Sequence, residues 1–456
     1  MVKLDQENRE GFTMQVIQTI IDQNNSDFRE LFFELHPTDQ IDILNSVSKK
    51  QRGLIYKYVT PEEFAEIFEG LELSKQKQYI AELQQNYAID VINNMSYDDI
   101  ADFLGELPEN KKELYLSKMD KEEAQEVIHL LKYDDQTAGA IMTTEFISVS
   151  SSETVIKVMN RLRLEAPEAE TIYYLYVIDE QFKLVGVVSL RDLIVAQLEE
   201  KVEDVMLSRV KSVETHTDQE EVAKIMRKYD FLAIPVTAQG MLVGIITFDD
   251  IMDVVEEETE EDFGEMFAVR GSIDTNITAF AAAKKRSPWI IILMFLGLIT
   301  AGVIGQFEDT LSEVILLSVF IPLIMGSAGN TGTQALAVVV RSLALGTLDN
   351  LTTSKMIRRE FGTGIILGII CALTLLVLIP LLYPEGGLWL AAIVGLSLFV
   401  TLSISTMVGA TVPLIINKLK IDPAVASGPF ITTINDLLGL IIYFSIATAL
   451  LDYLPH

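Results

Sequence analysis

The amino-acid sequence predicts a multidomain membrane protein of the α plus α/β class. Its expected parts are a helical, superhelical N-domain, a doubled β-α module, an acidic connecting helix and a five-helix transmembrane domain. Three observations predict this. The chain of 456 residues has a formal net charge of −30 but a mean hydropathy of +0.31, values that conflict for one globular domain. They agree once the chain is divided: from residue 288 onward 6 Lys/Arg stand against 9 Asp/Glu, leaving 29 against 56 before it. Finally, an eleven-residue phrase recurs 58 residues later, inside the acidic half.

Residues 1–135 read as helix after helix. Thr60-Pro61-Glu62-Glu63, Ser96-Tyr97-Asp98-Asp99 and Asp120-Lys121-Glu122-Glu123 each place a cap residue three before an acid, the capping-box spacing. Apolar residues follow at helical spacing, as in Phe64, Ile67 and Phe68. Starts near 36, 60, 96 and 120 give a weak repeat of about 60 residues built from two helix pairs, which predicts a stacked solenoid. Asp98, Asp99 and Asp102 fall within one turn, and alone they read as a solvated helix start that suits the helix dipole. An acidic soluble half argues against nucleic acid, which binds Lys/Arg patches. It suits cations, or plain solubility. The single cysteine, Cys371, lies in an apolar run, so disulfides and thiolate metal sites are not organising features. The first residues contain no apolar core of the signal-peptide kind, and the soluble half is expected in the cytosol.

Residues 136–257 hold the doubled module. Leu184 to Ile194 (LVGVVSLRDLI) recurs as Leu242 to Met252 (LVGIITFDDIM), and each copy opens on a methionine phrase, around Met142 and Met206. Helices (Thr154–Leu162, Gln219–Tyr229) and strands (Tyr174–Ile178, Ala233–Val236) are expected in between. These phrases resemble a tandem pair of CBS domains, a Bateman module, split at about 136–199 and 200–257. CBS pairs often bind adenine nucleotides, and Ser189-x-x-Asp192 and Thr247-x-x-Asp250 fit that family's ribose-binding signature. A carboxylate that merely caps the following helix is the plainer alternative.

Residues 250–287 are expected to form the connecting helix. Nine acids crowd into the fourteen residues Asp249 to Asp262. Asp250, Asp253, Glu257 and Glu261 are spaced for one helical face, where like charges destabilise by a few tenths of a kcal/mol per pair. Divalent cations with oxygen ligands would offset that repulsion; a solvated run is the alternative. Interleaved Ile251, Met252, Val254 and Val255, then Phe263, Met266 and Phe267, give a second, apolar face.

Residues 288–456 contain five apolar runs: Pro288–Gln306, Val314–Leu345, Gly362–Leu382, Leu388–Asn417 and Pro423–Leu451. Lys284, Lys285 and Arg286, then Arg341, Lys355, Arg358 and Arg359, then Lys418 and Lys420 fall on one side. By the positive-inside rule that side is the cytosol and the C-terminus lies outside. The last run carries one ionisable residue, Asp436, whose helical face includes Thr432 and Thr433, with Asn435 adjacent. A carboxylate there costs about 2.5–3.5 kcal/mol on insertion scales, so it is expected to face a water-filled path or a partner. The second run holds Gly326, Gly329 and Gly332 with Asn330 and Gln334. Close helix packing explains the glycines but not the two amides. Five helices with one acid are few to enclose a pore, and a homodimer would set two Asp436 residues about one axis.

The whole arrangement, with the Gly-Asn-x-Gly-x-Gln phrase of the second run and the Asp-Pro-Ala…Asn-Asp phrase of the last, resembles the bacterial MgtE magnesium channel/transporter family. The resemblance implies a homodimer in the lipid bilayer that imports Mg²⁺ and is closed by cytosolic Mg²⁺. It implies Asp436 as the pore acid and Asp422 at the cytosolic mouth. Asp98 and Asp102 match N-domain sensor ligands, and Glu220, Asp230, Asp250, Asp253, Glu258, Glu261 and Asp262 match ligands on the CBS pair and connecting helix. It also implies ATP as a regulatory ligand of the CBS pair. A carrier of another divalent ion such as Co²⁺ or Mn²⁺ is the nearest alternative, although the runs carry no His and one lone Cys. A membrane-anchored nucleotide sensor is the other, and it would need neither Asp436 nor Asn330. No enzyme is expected, since four scattered His (36, 129, 216, 456) form no visible nucleophile–base set.

Overall fold

The computed structural model describes residues 8–269, 277–344, 350–384, 387–419 and 428–450. They fall into two compact units, Met1–Val254 and Val255–His456.

The first unit begins with short helices: α1 (Arg9–Ile21), α2 (Asn25–Phe33), α3 (Pro37–Ser46), α4 (Lys49–Ile55), α5 (Pro61–Glu69), α6 (Leu73–Ile80), α7 (Gln85–Ile92), α8 (Tyr97–Gly105), α9 (Glu109–Leu116) and α10 (Lys121–Leu130). The four expected starts are those of α3, α5, α8 and α10; the shorter helices between them have too few periodic residues to announce themselves. Of the three capping phrases only Thr60 and Glu63 close a full box. Ser96 instead gives its hydroxyl to Asp99 at 2.7 Å, and its N–H goes to Glu69 at 2.8 Å. The Asp120 carboxylate accepts from the Glu122 N–H. The stacking device recurs at 36 residues rather than about 60. Buried Gln40 donates to the Phe32 carbonyl, and buried Gln76 donates to that of Phe68, each at 2.9 Å. Each satisfies the open C-terminal carbonyls of the preceding helix over a core of Phe28, Phe32, Phe64, Phe68 and Phe103.

Two copies of one unit follow. The first is β1 (Ser148–Ser150), α11 (Val155–Glu165), β2 (Tyr174–Ile178), β3 (Leu184–Ser189) and α12 (Leu190–Val195). After α13 (Val202–Val205) the second is β4 (Val213–Glu214), α14 (Gln219–Tyr229), β5 (Ala233–Ala238) and β6 (Met241–Thr247). Each sheet pairs its first two strands in parallel and its last two antiparallel, with a bulge at Val177/Ile178 and at Val236/Thr237. The copies interlock reciprocally. A Cβ at Gly186 would lie 2.4 Å from the Met206 sulfur, and one at Gly244 2.6 Å from the Met142 sulfur. Thr143 exchanges backbone hydrogen bonds with Ile245, and Leu207 with Val187. The opening phrase of each copy therefore packs on the glycine of the other copy's hairpin.

Helix α15 (Phe248–Met266) carries the acids and is unbroken across the junction of the two units. Ile251 and Val254 are buried, whereas Met252, Val255, Phe263 and Phe267 are exposed, so only part of the expected apolar face is covered within the chain.

The second unit contains α16 (Ala279–Gln306), α17 (Glu308–Glu313), α18 (Leu316–Val319), α19 (Ile321–Ala344), α20 (Asn350–Leu382), α21 (Gly387–Lys418) and α22 (Gly428–Ala449). Five helical stretches among the described residues are long and apolar enough to cross a membrane. Their bounds differ from the apolar runs for local reasons. Helix α16 starts nine residues before Pro288, because Thr278 caps a run of good helix formers and accepts from the Ala281 N–H. Pro288 leaves the Lys284 carbonyl without its helical donor, and the Ser287 hydroxyl supplies one at 3.3 Å. The basic residues assigned to short loops, Lys284 to Arg286 and Lys355 to Arg359, therefore lie on helical turns beyond the apolar segments. The second run is broken between α18 and α19, beside Pro322, which cannot donate to the preceding turn. The start expected at Pro423 lies outside the described residues.

Helix α21 is the centre of this unit, packed on α19, α20 and α22 and the most buried of the five. Its approaches are made by small residues. A Cβ at Gly409 would sit 2.2 Å from the Gly332 carbonyl oxygen, one at Gly364 2.3 Å from Thr406 Oγ1, and one at Gly368 2.9 Å from the Phe399 backbone.

A candidate ion path and an acidic face

In the membrane unit, α19 and α22 run antiparallel in close contact. Ala328 meets Gly439, Gly329 meets Thr432 and Asp436, Gly332 meets Ile431 and Asn435, and Thr333 meets Gly428. A Cβ at Gly329 would lie 2.5 Å from Thr432 Cγ2 and 3.1 Å from Asp436 Oδ1; at Gly332 it would lie 1.9 Å from Asn435 Nδ2. The glycines are therefore what lets the two polar side chains of α22 lie flat against α19. Asp436 and Thr432 are partly exposed, and Asp436 Oδ1 is buried without a hydrogen-bond partner among the described residues. Asn435 is 0% exposed, and neither of its amide atoms has such a partner. Asn330 and Gln334 are exposed, one turn apart, on the face of α19 turned away from this contact. Asn435 thus does not share a face with them: it is turned into the unit. The end of α15 also belongs here. A Cβ at Gly428, the first residue of α22, would lie 3.3 Å from the Met266 carbonyl oxygen. Asp422 lies outside the described residues.

In the soluble unit, acids from three places act on one another. Asp98 and Asp99 open α8 beside Glu69, which accepts from the Ser96 N–H. Glu145 and Glu170 come from the first β-α copy and are backbone-paired to each other, Glu170 N–H to Glu145 carbonyl at 2.8 Å. Asp249 and Asp250 open α15. Burial, then the neighbouring Asp99 charge, lifts Asp98 to about 6. Burial, then Asp98, lifts Glu145 to about 7 and Glu170 to about 8, and Glu170 also feels Asp250 and Asp249. Burial, then Asp99, lifts Glu69 to about 7. Burial lifts Asp250 to about 6 against the hydrogen bond from Thr247, and Asp99 is raised by burial and by Asp250 and Asp253. Such mutual elevation is what like charges brought together and partly dried produce. Among the described residues, no three His, Cys, Asp or Glu are grouped closely enough to hold a metal ion directly.

The other expected ligands are placed as follows. Asp102 and Asp253 are exposed. Glu220 is paired with Lys224 at 2.8 Å on the first turn of α14, and Asp230 caps its far end in the left-handed region, φ 54°. Ten residues of helix, about 15 Å at 1.5 Å rise, separate those two, so they do not share a site. Glu258, Glu261 and Asp262 follow on α15. Glu69, Glu145 and Glu170 were not legible as site residues, although Glu145 stands three residues after Met142 in a phrase that the repeat marks.

The two Ser/Thr-x-x-Asp phrases form the same local pair: the hydroxyl donates to the carboxylate, Ser189 to Asp192 at 2.6 Å and Thr247 to Asp250 at 2.5 Å. Their surroundings differ. Beside Ser189 lies an open cleft of about 520 Å³ lined by Tyr173, Tyr174, Ser189, Arg191, Ile194 and Leu232 among others. Asp250 belongs instead to the acidic face.

Comparison with known proteins follows the same division. A family model described as "Divalent cation transporter" (MgtE) matches residues 321–446, one described as "MgtE intracellular N domain" matches 35–136, and the CBS domain model matches 138–199 and 202–257. The magnesium transporter MgtE of Bacillus subtilis (strain 168) is 42% identical over 443 residues, 97% of this chain and 98% of that protein. A crystal structure of the soluble part of a magnesium transporter matches 55% of this chain and 99% of its own, with TM-score 0.53 and 43% identity. The cytosolic domain of the Mg²⁺ channel MgtE in complex with ATP matches 53% of this chain and 99% of its own, with TM-score 0.51 and 36% identity.

Proposed function

The chain belongs to the MgtE family of magnesium transporters, and from that membership we propose that it imports Mg²⁺ across the cytoplasmic membrane. In this reading Asp436 lines the path, and cytosolic Mg²⁺ closes it by bridging the acids of the soluble face. The family is one of transporters rather than enzymes, and the protein crosses the membrane several times. The observation that carries the reading is the exposure of polar side chains on two membrane-length helices, α19 and α22. Asn330 and Gln334 are exposed on α19, a helix long and apolar enough to cross the bilayer, and Asp436 is partly exposed on α22, which packs on another face of α19. Amides and a carboxylate are not left facing lipid. A second copy of the chain would cover these side chains, giving a homodimer with a water-filled axis and two carboxylates. Mg²⁺ releases its waters reluctantly and contacts few carboxylates directly, so a wide site with two Asp436 and flanking amides suits the hydrated ion. The basic helix turns around Lys284–Arg286 and Lys355–Arg359 support a cytosolic side for residues 1–287 by the positive-inside rule, and five spans would then leave the C-terminus outside. Uptake into proteoliposomes, with Mg²⁺, Co²⁺ and Mn²⁺ compared and ATP present or absent, tests the assignment. No Mg²⁺ uptake, or uptake that requires ATP, would overturn it.

The acidic face supports the regulatory part. Asp98, Asp102, Asp250 and Asp253, with Glu220, Asp230, Glu258, Glu261, Asp262 and the mouth residue Asp422, are the proposed ligands, joined by Glu69, Glu145 and Glu170. Because Glu69, Asp98, Asp99, Glu145, Glu170 and Asp250 act on one another without three of them closing on one point, hydrated Mg²⁺ bridging through water fits them better than a bare ion. A pH dependence follows. A carboxylate raised to about 6–8 binds a proton in the compact arrangement that it would release elsewhere. Between the ordinary carboxylate range and those values the compact form holds more protons, so it loses stability as pH rises. In Mg²⁺-free buffer, the energy transfer between a fluorophore on the N-domain and one on the CBS pair of the full-length protein will fall from pH 6 to pH 8. Millimolar Mg²⁺ at pH 8 will restore it. A signal flat in pH, or one that Mg²⁺ does not restore, would count against the acids acting together.

For ATP, the open cleft at Ser189 and Asp192 is the proposed site, with Arg191 toward phosphate and Tyr173 or Tyr174 against the base. Thr247 and Asp250 share the signature but are engaged at the acidic face. Asp192→Asn and Arg191→Ala will each weaken ATP binding at least tenfold by calorimetry, while Thr247→Val will change it less than threefold. Equal loss from Thr247→Val would move the site.

A further inference from the structure

Helix α22 presents two different polar faces to its neighbours. Thr432 and Asp436 meet Gly329; Asn435 and Gly439 meet Gly332 and Ala328. On the second face the amide of Asn435 is 0% exposed, with both polar atoms unpartnered among the described residues. One turn along, the Thr401 side chain of α21 packs on Gly439, its Cγ2 3.1 Å from where a Cβ would stand. Thr401 is also 0% exposed, and its hydroxyl has no partner among the described residues either. Other buried hydroxyls of α21 satisfy themselves within the helix, Ser397 on the Ile393 carbonyl at 2.7 Å and Thr406 on that of Leu402 at 3.2 Å. Thr401 stands out against that pattern. The third orphan is Asp436 Oδ1, which lies against Gly329, one turn of α19 from the glycine under Asn435.

We propose that Asn435 and Thr401 form a polar site inside each protomer that binds water and, through it, fixes the inward oxygen of Asp436. The site is closed to the polar face bearing Asn330 and Gln334 and lies behind the acid. Four orphaned polar atoms offer the two to four partners that a buried water takes. In a membrane interior nothing else is available to satisfy them. Asn435 is then a positioning residue. With one carboxylate oxygen tied by water to Asn435, only the other faces the path, and Asp436 meets the ion through the ion's own hydration shell. A carboxylate freed from that tether can turn and bind an ion that gives up water readily. Ca²⁺ does so and Mg²⁺ does not, so the tether favours Mg²⁺.

This inference rests on Asp436 lining the path, and the test separates the two. Asn435→Leu keeps the branched shape, enlarges the side chain and removes the amide; Thr401→Val keeps the shape and removes the hydroxyl; Asn435→Ser keeps a donor and leaves room for a further water. In proteoliposomes, Asn435→Leu will raise the Ca²⁺:Mg²⁺ flux ratio at least fivefold and Thr401→Val at least twofold. Asn435→Ser will restore at least half of the wild-type discrimination. The melting temperature of Asn435→Leu in detergent is read beside the ratio, because the substitution exchanges a hydrated amide for a larger apolar group against Gly332. An unchanged ratio in Asn435→Leu, whatever its melting temperature, makes the amide a packing residue and overturns the proposal. If Asn435→Leu lowers the melting temperature and shifts the ratio together, Thr401→Val decides: a shift without lost stability supports the site, and no shift overturns it. Normal Mg²⁺ flux in Asp436→Asn would instead overturn the path assignment, independently of Asn435.

Discussion

Asp436→Ala will lower Mg²⁺ flux in proteoliposomes at least a hundredfold, with the protein still folded and associated as before. A divalent ion about 5 Å from one carboxylate gains about 6–7 kcal/mol at an effective dielectric constant near 20. Dehydration of the carboxylate and screening oppose that gain. If only half survives, the loss on neutralisation still exceeds two factors of ten, at about 1.4 kcal/mol each. A homodimer would lose the interaction twice at one axis. The folding cost has the opposite sign. Asp436 Oδ1 makes no direct hydrogen bond among the described residues, so its truncation breaks no direct protein–protein hydrogen bond there and removes a carboxylate that is costly to keep in a membrane helix. Asp436→Asn sharpens the test, since it keeps the shape against Gly329 and removes only the charge. Both variants should lose flux, and Asn should not rescue Ala. Wild-type flux in Asp436→Asn would mean that shape and not charge defines this position.

The contrast between the two halves explains what the sequence could disclose. Asp436 was legible because a lone acid in an apolar run has a cost with no ordinary compensation. The doubled β-α module was legible because the repeat is written twice, down to the Met and Gly pairs, although which methionine met which glycine was not. Helical spacing also held the separation of Asn435 from Asp436, since successive residues point about 100° apart, but an adjacent amide invites grouping with the acid. Glu69, Glu145 and Glu170 were beyond reach. Each is an ordinary acid in its own segment and becomes unusual only when helices and strands far apart in the chain bring it to Asp98 and Asp250. The helix ends were misplaced for a related reason. Hydropathy sees the apolar segment, whereas the backbone ladder of α16 and α20 continues through Lys284–Arg286 and Lys355–Arg359, in α16 as far as the Thr278 cap.

Neutralising Asp250 and Asp253 together, as Asp250→Asn with Asp253→Asn, will leave the path open at internal Mg²⁺ concentrations that close the wild type. Two effects compete. Removing two negative charges relieves repulsion at the acidic face, which would favour closure without Mg²⁺. It also removes carboxylates that Mg²⁺ must bridge. The remaining acids decide between them: Asp98 still faces Asp99, Glu69 still faces Asp99, Asp98 and Glu145, and Glu145 still faces Asp98 and Asp99, as like charges. Most of the repulsion therefore persists while the α15 end of each bridge is gone. Helix α15 is the member that matters, because it is one unbroken helix whose first turn bears Asp250 and whose last residue, Met266, lies against Gly428 at the foot of α22. A proposed Mg²⁺ bridge to its first turn would act on the element that continues into the membrane unit, and such a ligand switch requires two states that the ion binds unequally. Patch recordings with Mg²⁺ stepped on the cytosolic face read the outcome directly. The closing concentration should rise at least tenfold, or closure should vanish, with the open current unchanged. Closure at the wild-type concentration would remove α15 from the sensor. Closure with no Mg²⁺ at all would show that repulsion alone, and not bridging, holds the path open.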